Sequence, residues 1–348
     1  MKNFEYAQPR SEREALQLLS DEKKKTFVLG GGTDLLSLMK RLVVTPDRLV
    51  NICEIESLKQ VTVEADGCTW IGAAVRLDEV LGDKVVNQFP AIAQVIQGIS
   101  SVQLQSQGTF VGELLRRPEC WYFRDGHGLL AGNGRMVVDG DNRYHAILGS
   151  QGPAKFVNAS RLAPALIAIN AYVRVIGPEV DAEQFLKVQD LYRIPRSDFE
   201  HENVLVPGQL ITHILIPQNT GALSAAYEVR HGEGPDQPLA AAAVCIQLAQ
   251  GRVQKAKIVL GQVAPMPWLA TEAAISLVGN AITEESASTA GWRAVAGAIA
   301  LSQNEYKIQL AQVAVKRAVL LAAGLETGGL DRPQSSESFL AQQEINLA

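Results

Sequence analysis

The 348-residue sequence predicts an α+β protein, on three observations. Between Thr26 and Ile52 a short apolar segment enters a glycine turn, passes through a helix-like stretch and ends in a second apolar segment. That is a small βαβ unit, long enough for parallel pairing. Val61–Val63 and Thr69–Ala73 then alternate as strands around the turn Ala65-Asp66-Gly67. Finally, the C-terminal third sets strands at Leu239–Leu248 and Val253–Leu260 ahead of three helices, over 270–278, 286–300 and 306–323. Strands followed by helices, rather than alternating with them, mark the α+β class.

The first helix spans 11–20, with Ser11 as N-cap and Glu14 at capping-box spacing. A strand at 26–29 leads into Gly30-Gly31-Gly32, and a helix runs from Asp34 to Leu42. Pro46 and Asp47 turn the chain into the strand Arg48–Ile52. Helices follow at Arg76–Leu81 and, after Pro90 in a first helical turn, at Ala91–Ile99. Gly108–Gly112 is a second glycine-bearing segment. Residues 115–150 are rich in Gly, Asp, Asn and Arg with little periodicity, which reads as a long surface excursion. An apolar run at Ala163–Ile169 and a strand at Tyr172–Ile176 come next. Pro217–Ala222 has the composition of a domain boundary, and the stretch after Gly324 that of a loose tail or partner-binding extension.

Composition narrows the function. A 47% hydrophobic content supports a large core, and a net charge of −5 implies no basic face for nucleic acid or an anionic membrane. No apolar run reaches the length of a membrane span. The N-terminus carries no apolar signal region, so the expected compartment is the cytoplasm, with export on a partner's signal as the alternative. His127, His145, His201, His213 and His231 do not cluster at ligand spacing. Cys53, Cys68 and Cys245 read as single buried thiols, and no cysteine pair suggests a disulfide framework.

The glycine turn carries the chemistry. Three glycines admit positive φ and close backbone approach, and the N–H groups after them suit a phosphate or pyrophosphate. The order matches neither G-x-G-x-x-G nor the P-loop, so a plain glycine turn before a helix is the other reading.

Several collinear segments together resemble one family, the flavin-binding medium subunit of molybdenum hydroxylases. They are Phe4-Glu5-Tyr6, Gly30 to Leu36, Trp70-Ile71-Gly72-Ala73-Ala74 and Gln107-Gly108-Thr109, then Leu162-Ala163-Pro164, Gly261 to Pro267 and Asn304-Glu305-Tyr306-Lys307. Arg117-Pro118-Glu119-Cys120-Trp121-Tyr122-Phe123-Arg124-Asp125-Gly126 and Asp141 to Ile147 are similar to the aldehyde oxidoreductase branch. The resemblance implies an FAD-binding domain of the PCMH/VAO type at 1–217. It divides into a βαβ subdomain at 1–55 and a larger one at 56–217 carrying the inserted loop 115–150. A C-terminal flavoprotein domain of antiparallel sheet and helices would span 222–325, with a tail at 326–348. It further implies FAD as cofactor, and a [2Fe–2S] iron–sulfur subunit and a molybdenum-cofactor subunit as partners. Electrons would pass through the flavin to a terminal acceptor. The residues implied at the cofactor are Leu29, Gly30, Gly31, Gly32, Thr33, Asp34, Leu35 and Leu36 of the first loop, with Thr109, Gly112 and Glu113 of the second. No general acid, base or nucleophile is implied.

The chain departs from the family pattern in four places. The second loop, Gln105 to Glu113, has Val111 for a glycine and Glu113 for an asparagine. A carboxylate ~4 Å from a diphosphate would repel it by about 4 kcal/mol at an effective dielectric of 20. Arg161 stands where the family often has aspartate, and Glu228 where it often has lysine. These changes raise the alternative of a flavin-free structural paralogue that scaffolds such a complex. A stand-alone flavoenzyme is a third reading, without a recognisable acid–base set to support it. The cluster-bearing aldehyde oxidoreductase branch holds four cysteines in the insertion for a [4Fe–4S] centre. Here the insertion carries only Cys120, so no such cluster is expected.

Overall fold

A computed structural model describes residues 1–328 apart from positions 84, 85, 180, 233 and 235. Its frame is three sheets in chain order. The first opens with β1 (Glu5–Ala7), α1 (Glu12–Leu19), β2 (Thr26–Leu29), α2 (Leu35–Lys40) and β3 (Arg48–Asn51). Its order is β1-β3-β2 and both pairings are parallel, as the βαβ spacing predicts. Strand β1 has three residues, too few to show alternation in the sequence. Ser11 caps α1 by accepting from the Glu14 N–H, while the Glu14 carboxylate reaches one residue further back, to the Arg10 N–H. Helix α2 stops at Lys40, two residues before the end the sequence suggests.

The second sheet is antiparallel, in the order β4-β5-β8-β6-β7. Its strands are β4 (Val61–Val63), β5 (Thr69–Gly72), β6 (Tyr172–Ile176), β7 (Glu183–Lys187) and β8 (Leu210–Ile216). Between β5 and β6 lie α3 (Leu77–Gly82), α4 (Pro90–Gly98), α5 (Val102–Gln107), α6 (Phe110–Leu114), α7 (Trp121–Arg124), α8 (Arg135–Asp139) and α9 (Leu162–Ala168). Pro90 opens α4, where its missing N–H costs nothing. Every residue of α9 is buried, which is why its sequence is continuously apolar.

The insertion is not the bare excursion its composition suggests. It contains α7 and α8 and closes a core of its own over α2, where Leu38 and Met39 pack with Phe123, Leu129, Leu130 and Phe156. The glycine and asparagine content has a backbone cause: Gly126, Gly128, Gly132, Asn133 and Gly134 all take positive φ as the chain doubles back.

The third sheet has the order β12-β11-β10-β9, formed by β9 (Leu223–Val229), β10 (Ala240–Ala249), β11 (Arg252–Gly261) and β12 (Trp268–Leu269). Helices α10 (Thr271–Leu277), α11 (Glu284–Ala294) and α12 (Tyr306–Ala322) follow. Helices α10 and α12 pack on this sheet, as do α4 and α9 from the preceding part of the chain. Helix α11 ends six residues earlier than its apolar run implies. Beyond it, the Ile299 N–H bonds to the Ile147 carbonyl, so the chain lies along the insertion instead of continuing the helix. Among the described residues, no helix is long and apolar enough to cross a membrane. Of the expected tail at 326–348, positions 329–348 lie outside the described residues.

Candidate functional site

The glycine turn forms one wall of a cleft of about 250 Å³, at the junction of the first sheet, α6 and the start of β8. Consecutive N–H groups from Gly30 to Leu35 have no acceptor among the described residues. Backbone donors are normally paired, so such a row is a ready cradle for an anion. With six residues α2 adds little dipole; the donors themselves make the site. Gly32 has φ of +71°, which favours glycine. Gly31 is required for another reason than close ligand approach. A Cβ there would sit 1.8 Å from the Gln107 carbonyl oxygen, so the second loop occupies that space.

Thr109 caps α6 and faces the cleft. Its Oγ1 accepts from the Gly112 N–H at 3.2 Å, which leaves its O–H free to donate. A Cβ on Gly30 would lie 2.8 Å from this hydroxyl and one on Gly112 2.6 Å, so the two loops meet over it. Val111 forms part of the cleft wall and packs into the first core at the same time.

Glu113 is placed differently from the expectation that set it against a diphosphate. It is buried, does not line the cleft, and accepts from the Arg161 backbone N–H at 3.2 Å. Burial pushes its carboxyl above the usual carboxylate range, against the pull of Arg116 and Arg161. Arg161 and Glu228 are two halves of one buried ion pair, with Nε donating to Oε1 at 2.8 Å and Nη2 to Oε2. A reversed sign at one position is matched by a reversed sign at the other. These two departures from the family pattern therefore compensate each other away from the cleft.

This pair is one end of a line of alternating charges. Glu113 lies 3.5 Å from Arg116, which also holds Glu119. Glu119 is 3.4 Å from Arg124, and Arg124 is 2.7 Å from the Asp34 carboxylate in the first loop. The other oxygen of Asp34 accepts from the Arg117 N–H at 2.9 Å. The Arg117 guanidinium is paired with buried Glu202 and lies over the Phe123 ring. Each carboxylate near the cleft thus has a guanidinium partner, and the insertion is tied to the glycine turn.

A second cavity, about 310 Å³, lies between the insertion and the C-terminal part. There Cys120 Sγ is 3.2 Å from His145 Nε2. Burial and the nearby Lys307 pull His145 down to about 4, so it is neutral, and burial pushes the Cys120 thiol up. The Lys307 ammonium, itself pulled down to about 7 by burial, donates to the carbonyls of Tyr144, His145 and Gln262. This is a structural staple. Among the described residues, no group of three or more His, Cys, Asp or Glu is placed to hold a metal ion.

Of the residues expected at the cofactor, Gly30 to Leu35, Thr109 and Gly112 are brought together in the cleft. Leu29 and Leu36 stand outside it, each within 3.3 Å of where a Gly32 Cβ would project. The sequence did not single out Gln209 or Ile211, which close the far wall, or place Arg117 there. Gln209 and Ile211 come from a part of the chain with no local motif, and Arg117 from a motif to which the sequence assigns no cofactor contact.

Comparison with known proteins identifies the family. Residues 2–219 match the family described as FAD binding domain in molybdopterin dehydrogenase, and residues 225–322 match the CO dehydrogenase flavoprotein C-terminal domain. The chain is 30% identical over 274 residues to the aldehyde oxidoreductase FAD-binding subunit PaoB of Escherichia coli, covering 77% of this chain and 84% of that protein. It is 27% identical to the carbon monoxide dehydrogenase medium chain of Afipia carboxidovorans, covering 91% and 96% of the two. Among solved structures, carbon monoxide dehydrogenase from Hydrogenophaga pseudoflava shares its fold at a TM-score of 0.72 and 23% identity, over 93% of this chain and 98% of that one. Quinoline 2-oxidoreductase from Pseudomonas putida 86 does so at 0.71 and 22%, over 93% and 99%. The chain belongs to the FAD-binding, medium-subunit family of the molybdenum hydroxylases, a family of oxidoreductase components.

Proposed function

We propose that this chain is the electron-transferring flavin subunit of a molybdenum hydroxylase complex of the aldehyde or xanthine dehydrogenase type. Residues 1–217 hold the FAD and residues 222–325 complete the subunit. The observation that carries this reading is the unpaired row of N–H groups from Gly30 to Leu35, which faces the cleft as a diphosphate cradle. Thr109 adds a hydroxyl donor from the opposite loop. Bound FAD supplies the redox chemistry. The chain's own task is to fix the diphosphate, exclude water along the apolar wall of Val28, Leu38 and Ile211, and present the flavin to its partners. Those partners are a [2Fe–2S] subunit, which delivers electrons, and a molybdenum-cofactor subunit, which carries substrate hydroxylation.

The visible absorption spectrum of the purified chain, before and after denaturation, tests this. Flavin bands with free FAD released on unfolding are expected. A protein that stays colourless after incubation with excess FAD would instead favour a flavin-free scaffold.

A further inference from the structure

Arg161 and Glu228 join distant parts of the fold. Arg161 precedes α9, and Glu228 lies on β9 of the third sheet. Both side chains are almost fully buried, 1% and 4% exposed. Helix α4 covers them at Gly98, where a Cβ would fall 2.5 Å from Glu228 Oε2 and 2.7 Å from Arg161 Nη2. The glycine there makes room for the pair. On the other side, the backbone N–H of Arg161 holds the Glu113 carboxylate. Glu113 belongs to α6, whose first turn carries Thr109 and Gly112 into the cleft. A bonded path therefore runs from the C-terminal sheet to the second cofactor loop. Burying an ion pair is weak evidence for stability, since matched apolar or neutral groups often serve equally well. A role in placing a neighbouring element is the better reason for its presence.

We propose that Arg161 and Glu228 are positioning residues, through which the C-terminal sheet sets the seat of α6 and hence the affinity for FAD. This rests on the FAD-binding reading above. The residues do not touch the cofactor cleft; they act through Glu113 and the α6 backbone.

The test is FAD titration of the full-length apo chain, followed by flavin fluorescence, with thermal melting of the same samples without FAD. The double variant Arg161→Met with Glu228→Gln removes both charges and leaves no unpaired buried ion. It is expected to melt within a few degrees of the parent and to bind FAD roughly tenfold more weakly, about 1.4 kcal/mol. Gly98→Ala, which intrudes on the pair from α4, is expected to weaken FAD binding in the same direction. Parent-like FAD affinity in either variant would overturn the proposal, whatever happens to the melting temperature. So would weakening only in proportion to a fall in melting temperature, the mark of a purely structural pair. A parent chain that binds no FAD would overturn the functional reading first and this coupling with it, so the two failures are distinguishable.

Discussion

The two glycine-bearing loops of the cleft look alike in sequence and differ in how their donors are used. In the first, the N–H groups from Gly30 to Leu35 are unpaired among the described residues. In the second, Phe110 donates to the Val75 carbonyl, Gly112 to the Thr109 hydroxyl and Glu113 to the Thr109 carbonyl. One loop leaves its backbone donors open to the cleft; the other satisfies its own and turns a hydroxyl towards the cleft. Val111 and Glu113 of the second loop accordingly leave the open donors of the first untouched.

Gly31→Ala should break the contrast most severely. Its Cβ would meet backbone rather than a movable side chain, so one loop must shift. A loss of about 3 kcal/mol in stability is expected, and FAD affinity should fall by ~100-fold or more, about 2.7 kcal/mol. Thermal melting and FAD titration check both, and an unchanged affinity would mean that the two loops do not depend on each other.

A pH titration of stability sharpens the comparison from outside both loops. His145 lies in the other cavity with a folded-state value of about 4, below its ordinary 6.5. The unfolded chain then binds more protons between those limits. The stability that neutral His145 contributes is full above pH 6.5 and is lost as pH falls towards 4, at most about 3 kcal/mol. Replacing His145 by Asn should flatten that part of the profile while leaving FAD affinity at neutral pH nearly unchanged. A tenfold loss of affinity would tie the insertion's interior to the cleft after all.

The smallest effect belongs to the second loop's hydroxyl. Thr109→Ala should cost about 1 kcal/mol as a lost helix cap and weaken FAD binding by several-fold. Thr109→Ser, which keeps the oxygen, should retain both. Equal binding by the two variants would remove the hydroxyl from the list of cofactor contacts.

Much of the frame was legible because local pattern and tertiary role coincide. Thr26–Leu29 and Arg48–Asn51 are strands at the expected positions, and Pro90 opens α4. The insertion has the pattern of a bare loop because Phe123, Leu129 and Leu130 are spaced without period and their partner Phe156 lies beyond it. They meet only when the chain doubles back through left-handed positions. Arg161 and Glu228 are 67 residues apart, and each alone reads as an isolated departure. Their cancellation exists only in the folded state. Strand β1 was lost to brevity, and α11 was overextended because the Ile147 carbonyl captures the following chain.

The staple at Lys307 has a consequence for synthesis. Asn142 is held by the Gln303 N–H and bonds to Ser302, while Asn304 and Lys307 donate to the His145 carbonyl; these contacts span 159 to 162 residues. At typical translation rates that separation is about 8–30 s of elongation. The glycine turn and its sheet can form while the ribosome is still working. The contacts that pin the insertion at Asn142 and His145 cannot form until the first turn of α12 has emerged. The nascent chain thus passes through an interval in which the glycine turn can be built while the insertion is not yet pinned at Asn142 and His145.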